Sequence, residues 1–330
     1  MTTSITSVSA TQSKVQINSV DALYLGSDGS LNTGQWAGLR NRVINGSARI
    51  QQRPAPAASG TLNYVTDRFI YAISSGTAVS GAWGQNLFGG SSSSYWHWIG
   101  TVSFTTGQPY WSTRIESKDV ADLNSKTITV SGKFYQDSGS TQAISIRLNK
   151  PTAVDNYTGA TIVSTNTANT IPTGVATSFS ATFTLGSTDA SNGLAIEVFI
   201  TTAITVVSKN FAISDVQLEV GSVATPFEQR PYGMELALCQ RYYEVCGFEA
   251  IGSLAGAINF GGRAKYAAVK RIVPSIAQVA NNASFTQLNI STTTSNYIQA
   301  GSLEGVVVYR TASAAGQAQF SETFAVSAEL

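Results

Sequence analysis

The feature that most constrains this chain is a two-residue hydrophobic period between residues 128 and 200. Apolar side chains alternate with polar ones there, and successive side chains of a strand point to opposite faces, so the pattern is typical of half-buried β-strands. The alternating positions are Ile128, Val130 and Phe134; Ile144, Ile146 and Leu148; Phe179, Ala181, Phe183 and Leu185; and Leu194, Ile196, Val198 and Ile200. Because strands do not alternate with helices, we predict an all-β fold, an antiparallel sandwich.

Polar segments between these strands predict turns and crossing loops. They read QDSGS (136–140), STNTANTIPTG (164–174) and DASNG (189–193). Further along, in FAISDVQLEV (211–220), the apolar register moves from Phe211 and Ile213 to Val216 and Leu218. This shift predicts a β-bulge within the last strand of the sandwich.

The segment ISDVQLEVGSVATPFEQRPYGMELALCQRYYE (213–244) starts as a strand, passes two prolines and continues with helical spacing. Leu236, Cys239, Tyr243 and Cys246 are three, four and three residues apart, which predicts a helix over residues 233–246. In such a helix the two cysteine Cα atoms lie about 10 Å apart, too far for a disulfide, so we expect reduced thiols. The stripe fits either packing on one domain or contact between copies around a symmetry axis.

Length and charge limit the partners. The chain has 330 residues, of which 12% are charged and 43% hydrophobic, with 20 basic against 19 acidic side chains. This length predicts two or three folded units, and without a Lys/Arg run we expect no nucleic-acid partner. The N-terminus has no basic, apolar signal sequence and no segment is long enough to span a bilayer. We therefore expect synthesis in a cytoplasm without a signal peptide, and no membrane insertion.

Four segments carry a resemblance to a known family. RNRVINGSARIQQRP (40–54), YVTDRFIY (64–71), STRIESKDVADLNSKTITVSGKFY (112–135) and the 213–244 segment occur in the order found in bacteriophage and prophage tail-fibre proteins, and the last is the most specific. Over residues 41–246 the chain resembles that family. The resemblance implies a jelly-roll β-sandwich of carbohydrate-binding-module type, a C-terminal β domain ending in FAVSAEL, and a homotrimer that attaches a virion to a bacterial surface.

The resemblance and the patterns together predict four parts: an N-terminal arm (1–40), the sandwich (41–230), a helical joint (231–246) and a C-terminal receptor-binding knob (247–330). The arm contains an Asp28-Gly29 turn, which suggests a small β element in an otherwise extended segment. It either binds a phage tail or baseplate protein or is a flexible terminus. Where the family often has tryptophans, this chain has Phe69 and the pair Phe134-Tyr135, so sugar-stacking roles of those tryptophans do not transfer.

Aromatic side chains are the candidate ligand-binding residues, because a ring can stack on a pyranose while hydroxyl and amide groups bond its edge. In the sandwich the candidates are Trp83, Tyr95, Trp96, Trp98, Tyr110 and Trp111. Core or trimer packing is the competing explanation, since Tyr95 and His97 fall on one strand face and Trp96 and Trp98 on the other. The C-terminal candidates are Tyr266, Tyr297 and Tyr309, with Arg263, Lys265 and Arg271 available for acidic sugars or phosphate groups.

The sequence gives no support for catalysis, and we predict no catalytic residue. Glycosidases need two carboxylates in one cleft; the densest acidic group, Glu116, Asp119 and Asp122, is predicted to form a turn before a strand. His97 is the sole histidine and is predicted to be a packing or surface residue. No cofactor motif is present. The resemblance allows a structural calcium ion in the jelly roll, but no ligand set can be read from the sequence.

Three functional hypotheses remain. The first is a tail-fibre receptor-binding protein of the virion that adheres to bacterial surface polysaccharide; the others are a structural virion component that binds nothing and a tailspike depolymerase. A depolymerase normally requires a long repetitive β-helix and an acidic cleft, and neither is visible. We expect the knob to make first contact with the receptor and the sandwich to add an auxiliary sugar contact.

Overall fold

The computed structural model describes residues 3–9, 12–17, 20–25, 31–32, 40–54, 63–74, 78–87, 95–281, 288–290, 297–300 and 302–330. Strands dominate these ranges. The first four are β1 (Thr3–Ser9), β2 (Gln12–Ile17), β3 (Val20–Leu25) and β4 (Leu31–Asn32), which form an antiparallel sheet in chain order. A largely extended arm was therefore the wrong prediction, because neighbouring segments pair. The Asp28-Gly29 turn lies outside the described residues, between the paired strands β3 and β4.

The sandwich is built from ten strands that form one curled sheet. They are β5 (Asn63–Thr66), β6 (Phe69–Ser74), β7 (Ala78–Leu87), β8 (Tyr95–Ile115), β9 (Thr127–Gln136), β10 (Gln142–Ala153), β11 (Asn156–Ile171), β12 (Thr177–Thr184), β13 (Leu194–Ile200) and β14 (Ile204–Val220). All their pairings are antiparallel. The all-β prediction is confirmed, and the curled sheet is consistent with a jelly-roll sandwich.

Strand β8 joins the two layers of the sandwich. Its first half pairs with β7 and β14, and its second half pairs with β6 and β13. The path through the sheet is β11-β10-β13-β8-β14-β9-β12. Between β8 and β9 lie the short helix α1 (Ser117–Val120) and a 3-10 turn (Ala121–Leu123). The predicted acidic turn before a strand is thus confirmed.

The predicted inward faces form the core. Every position of the two-residue period belongs to a cluster of 34 buried apolar residues, and it includes Leu185, just beyond β12. The predicted bulge is confirmed as well: the β14–β9 register shifts between Ser214 and Gln217, with Asp215 at φ 52°. The loop predicted at residues 164–174 is wrong over most of its length. Those residues continue β11, whose Thr-rich sequence suits a solvated strand paired with β10.

The joint differs from its prediction. Helix α2 runs over Tyr232–Gln240 only, and the next strand, β15 (Tyr243–Leu254), already contains Cys246. The 3-4-3 stripe therefore does not form one helical face, because pairing with a C-terminal strand extends the backbone from Tyr243 onwards. Both cysteines carry free thiols, as predicted, and Cys239 is buried.

We use C-terminal region for residues 241–330. It contains β15 followed by β16 (Asn259–Lys265), β17 (Ser275–Asn281), β18 (Tyr297–Ala300), β19 (Gly305–Thr311) and β20 (Gly316–Ser327). Two three-stranded sheets, β15-β20-β17 and β16-β19-β18, enclose a cluster of seven buried residues. The domain boundaries and the homotrimer stay predictions.

Charged contacts join the C-terminal region to the sandwich. Glu329 pairs with both Arg53 and Arg68, and the Arg68 guanidinium lies 3.5 Å from the centre of the Tyr242 ring. On the other side of the joint, Arg230 pairs with Glu235 at 3.3 Å. These side chains are largely buried. Glu235 and Tyr242 of the joint therefore pack against the sandwich, whereas Tyr232 and Met234 in the first turn of α2 are exposed.

Candidate functional site

Half of the predicted sandwich aromatics are buried residues. Trp83, Trp96 and Trp111 are buried, and the Trp111 ring meets Phe134 edge to face at 5.2 Å. The Trp111 indole N–H donates to the backbone oxygen of His97 at 3.2 Å. Trp83 and Trp111 belong to the core cluster, as the packing explanation expects, whereas Trp96 is buried on the same strand face as Trp98 and outside that cluster. A buried ring offers a sugar no face to stack on, which speaks against a ligand contact at all three.

His97 is a buried packing residue, which is one of the two predicted alternatives. Its Nδ1 lies 2.7 Å from Thr66 Oγ1 and 2.8 Å from Tyr71 Oη, and its Nε2 lies 2.9 Å from the backbone oxygen of Asn45. The ring stacks on Phe69 with centroids 3.8 Å apart. Burial lowers the pKa of His97 from 6.5 to about 3, despite the opposing hydrogen bond to Asn45. A neutral imidazole enclosed on all sides is a structural group and cannot serve a ligand.

Trp98 differs from its neighbours because it lies on the outer face of the sheet, between inward-facing His97 and Ile99, and is partly exposed. Its ring lies over Gly100: a Cβ atom there would stand 1.6 Å from ring atom Cε2. The indole N–H donates to Asn210 Oδ1 at 3.1 Å. Asn210 is itself held by Asp137, which accepts from its backbone N at 2.6 Å and from Nδ2 at 2.8 Å. The ring is thus fixed in position before any ligand arrives.

A second partly exposed ring, that of Tyr135, lies on the same line of cross-strand pairs as Trp98. Trp98 pairs with Ala212, and Ala212 pairs with Tyr135 on the next strand. Two strand spacings separate the backbones of the two aromatic residues by about 10 Å. Burial and the nearby Asp137 carboxylate raise the pKa of Tyr135, so its phenol stays protonated at neutral pH and can donate a hydrogen bond. We call Trp98, Tyr135, Ala212, Asn210 and Asp137 the Trp98 surface. Sequence reasoning named only Trp98 of this set.

Tyr110 lies on the outer face of the other layer, and its polar contacts are internal. Its hydroxyl donates to Glu197 Oε1 at 2.5 Å, and Arg147 Nε donates to Oε2 of the same carboxylate at 2.5 Å. Phe199 pairs directly with Tyr110. The Arg147 guanidinium lies 5.0 Å from the centre of the Phe199 ring. Burial, followed by the Glu197 charge, raises the pKa of Tyr110. Because these groups satisfy one another, they offer a ligand fewer open hydrogen-bonding positions.

The C-terminal candidates are divided between two faces of one sheet. Tyr266, just after β16, is buried, so proposing it as a ligand contact was wrong. Tyr309 is 37% exposed, and Arg263 and Lys265 are exposed as well. Register places these three on one face, since Tyr309 pairs with Gly261, which lies two and four residues before Arg263 and Lys265 on β16. The backbone of Tyr297 pairs with that of Tyr309, and the candidate side chain of Tyr297 lies outside the described part of the structure. We call Tyr309, Arg263 and Lys265 the Tyr309 surface.

The remaining candidates are accounted for as follows. Tyr95, at the start of β8, is 39% exposed. Glu116 is buried and pairs with Arg241 at 3.1 Å.

In the part of the chain that the structure describes, no three His, Cys, Asp or Glu side chains come together to hold a metal. None of the described helices is long and apolar enough to cross a membrane.

No protein-family model matches the chain, and no curated protein matches it. Solved structures do match part of the chain at low identity. A structure described as "CBM4 structure and function" has 15% identity and a TM-score of 0.35, over 54% of this chain and 98% of that one. A family 61 carbohydrate-binding module in complex with β-1,4-galactotriose has 11% identity and a TM-score of 0.31, over 56% of this chain and 100% of that one.

A phage protein is also among the similar structures. The enzymatically active domain of tailspike protein 4 from bacteriophage CBA120 has 12% identity and a TM-score of 0.30, over 55% of this chain and 22% of that one. At these identities and scores, no functional residue is transferred from any of the three.

Proposed function

We propose that this chain is a phage tail-fibre adhesin that binds a bacterial surface glycan through the Trp98 surface. The observation that carries the proposal is the fixed Trp98 ring, held over Gly100 and bonded to Asn210. A ring that is already ordered loses little conformational freedom when it stacks on a pyranose, so more of the contact energy appears as affinity. The Asn210 carboxamide accepts from the indole N–H and is itself bonded to the Asp137 carboxylate, so the part of these two groups is to hold the ring, and the proposed sugar contact is chiefly stacking.

The phage assignment rests on the sequence resemblance over residues 41–246. The same resemblance leads us to expect that the protein is a homotrimer of the virion and that residues 1–40 bind a tail or baseplate protein. Single sugar contacts of this size are weak, and three copies per fibre would raise the avidity. The low charge of the chain, 12% of residues, is compatible with binding a neutral glycan.

A second candidate surface for the same function lies in the C-terminal region. Tyr309, Arg263 and Lys265 share one exposed sheet face, which supports the expectation that this region contacts the receptor. Its two cations favour an acidic glycan, whereas the Trp98 surface favours a neutral one. The two surfaces can therefore be separated by ligand charge as well as by mutation.

We propose that the adhesin binds without cleaving. Support comes from the carboxylates that the sequence singled out. Glu116 is engaged by Arg241, and Asp122 pairs with Arg42 at 2.9 Å and with Lys126 at 3.8 Å. A general acid and a nucleophile need two carboxylates that face one sugar, and Glu116 is buried against Arg241.

The test is incubation of the full chain with purified polysaccharide from a host that the phage adsorbs to. Retention of the protein on the polysaccharide, without shortening of the chains, is the expected result. Shortening would identify a depolymerase. No retention and no shortening would favour a structural role and overturn the proposal. Light scattering that gives a stable monomer at micromolar concentration would overturn the homotrimer separately.

A further inference from the structure

Residues 328–330, directly after β20, connect the C-terminal region to the sandwich, and we call them the strap. On one side the strap is fixed to its own region. The Ala328 N–H donates to the Tyr242 backbone oxygen at 2.7 Å, and Arg271 Nη1 donates to the backbone oxygens of Ala328 and Glu329 at 3.4 and 3.3 Å. Because these bonds are internal to the C-terminal region, the strap should move with it.

On the other side the strap contacts the sandwich through Glu329 and Leu330. The Leu330 backbone oxygen accepts from the Tyr64 hydroxyl at 2.9 Å. Each carboxylate oxygen of Glu329 pairs with a different arginine: Oε1 lies 2.7 Å from Arg53 Nη2, and Oε2 pairs with Arg68 Nη1. Only 9% of the Glu329 side chain and 1% of the Arg68 side chain are exposed. Removing one partner of a pair buried this deeply leaves the other charge uncompensated, so the strap depends chiefly on Glu329.

The same two arginines also hold the start of the C-terminal region. The Arg53 guanidinium lies 3.6 Å from the centre of the Tyr243 ring, and the Arg68 guanidinium lies 3.5 Å from the centre of the Tyr242 ring. A cation over an aromatic face is attracted by the ring. Two sandwich side chains thus contact both the beginning of the C-terminal region and the strap, and Glu329 supplies the negative charge that both of them face.

The two cores do not depend on these contacts. Each core cluster draws its members from one region only, and neither Glu329 nor the two arginines belong to a cluster. Loss of the strap contacts would therefore remove the attachment between the regions and leave the apolar packing of each region in place.

We propose that the strap is a latch: the Glu329 charge holds the C-terminal region against the sandwich, and its loss lets that region move away about the joint while both cores stay folded. The movement uncovers the buried groups between the two regions, which include the Tyr242 and Tyr243 rings and the thiol of Cys239.

The two cysteines report on the latch and on the fold separately. Cys239 is buried in α2. Burial raises the pKa of its thiol well above the usual value, and the neighbours whose charges reach it include Arg68 and Glu329. Cys246 instead packs against the core cluster of the C-terminal region. Opening of the latch should therefore expose Cys239, whereas unfolding of the C-terminal region should expose Cys246.

Iodoacetamide labelling of the full chain, quantified for each cysteine by peptide mass spectrometry, tests the proposal. Glu329→Gln keeps the shape of the side chain and removes its charge. We expect this variant to label Cys239 at least about tenfold faster than the wild type, and Cys246 at an unchanged rate. Glu304→Gln, the same exchange at an exposed position of the C-terminal region, is the matched control and should label like the wild type.

Two results would overturn the proposal. The first is labelling of Cys239 at the same rate in Glu329→Gln and the wild type. The second is an equal acceleration at both cysteines, because Glu329 would then support the fold of the C-terminal region rather than its position. The measurement uses no glycan, so its result is independent of the proposed function.

Discussion

The sandwich and the C-terminal region are both β-structures, but they are stabilised differently. Among the described residues, the core cluster of the sandwich contains 34 apolar side chains, whereas the core cluster of the C-terminal region contains seven. The C-terminal region also contains buried ion pairs: Lys270 with Glu244 at 3.0 Å, and Arg310 with Glu322. Large apolar side chains are exposed on its surface, among them Val245, Ile251, Ile258, Val269, Ile272, Val273 and Val279.

The difference shows which region can stand alone. A sandwich with an extensive core can hold a binding ring in a fixed position, as it does with Trp98. A small region with exposed apolar side chains gains more from neighbours, which agrees with the proposed homotrimer. This contrast agrees with the proposed recognition through the Trp98 surface, with the Tyr309 surface as the second proposed contact, and with a part for the C-terminal region in the proposed assembly.

Truncating one core phenylalanine in each region should have the largest effect on stability. The loss of unfolding free energy should be greater in the sandwich than in the C-terminal region. Phe134→Ala should lower the free energy of unfolding by about 4 kcal/mol, because close packing around Trp111 limits collapse into the cavity. Phe320→Ala should cost about 3 kcal/mol, because its ring neighbours Phe248 and Phe260 are only partly buried and can move. Hydrogen exchange resolves the two regions. Equal losses would contradict the contrast between the two cores.

Breaking one buried ion pair should have the next largest effect on stability. Lys270→Met should destabilise the C-terminal region by about 3 kcal/mol, because Glu244 would remain buried without its cation. Adding Glu244→Gln should recover most of that loss, since the amide oxygen can still accept from the Ala267 backbone N. Denaturant unfolding measures both variants. If the double variant is as unstable as the single one, the pair is not the cause.

The smallest effect is a pH dependence confined to the sandwich. The pKa of His97 falls from 6.5 in the unfolded chain to about 3 in the fold, so folding favours the neutral ring. Its contribution is fully present above pH 6.5 and is lost as the pH falls; at pH 5.5 the loss is roughly 1 kcal/mol. His97→Asn should lack this slope. If the stabilities of the wild type and of His97→Asn depend on pH in the same way, the assignment of this effect to His97 is wrong.

Asp67 also makes the stability of the wild type depend on pH, so the His97 effect has to be measured as a difference between the wild type and His97→Asn. Burial raises its pKa from 3.8 to about 6, so its contribution is present at low pH and is lost as the pH rises through 6. This opposes the His97 effect in the wild type. The difference between wild type and His97→Asn isolates the imidazole, because Asp67 is present in both.

The sequence predicted the sandwich well and the site poorly. A period of two specifies which side chains face inward, and the register shift at Asp215 was visible in the same pattern. Burial of three tryptophans could not be read from composition, since an aromatic ring suits both a core and a sugar. Tyr135 was missed because its partner in the row, Trp98, comes from a strand 37 positions earlier in the sequence, with Ala212 between them. Short helices are equally ambiguous: tertiary pairing with β20 ended α2 before Cys246.

The most direct test of the account is affinity electrophoresis of four full-length proteins in gels containing host polysaccharide. Trp98→Ala should weaken retention by at least about tenfold, the loss expected for one stacked ring. Gly100→Ala, which keeps the indole but displaces it, should weaken retention as well. Tyr309→Ala should be retained like the wild type. Loss of retention in Tyr309→Ala alone, with Trp98→Ala unaffected, would contradict the assignment of recognition to the sandwich.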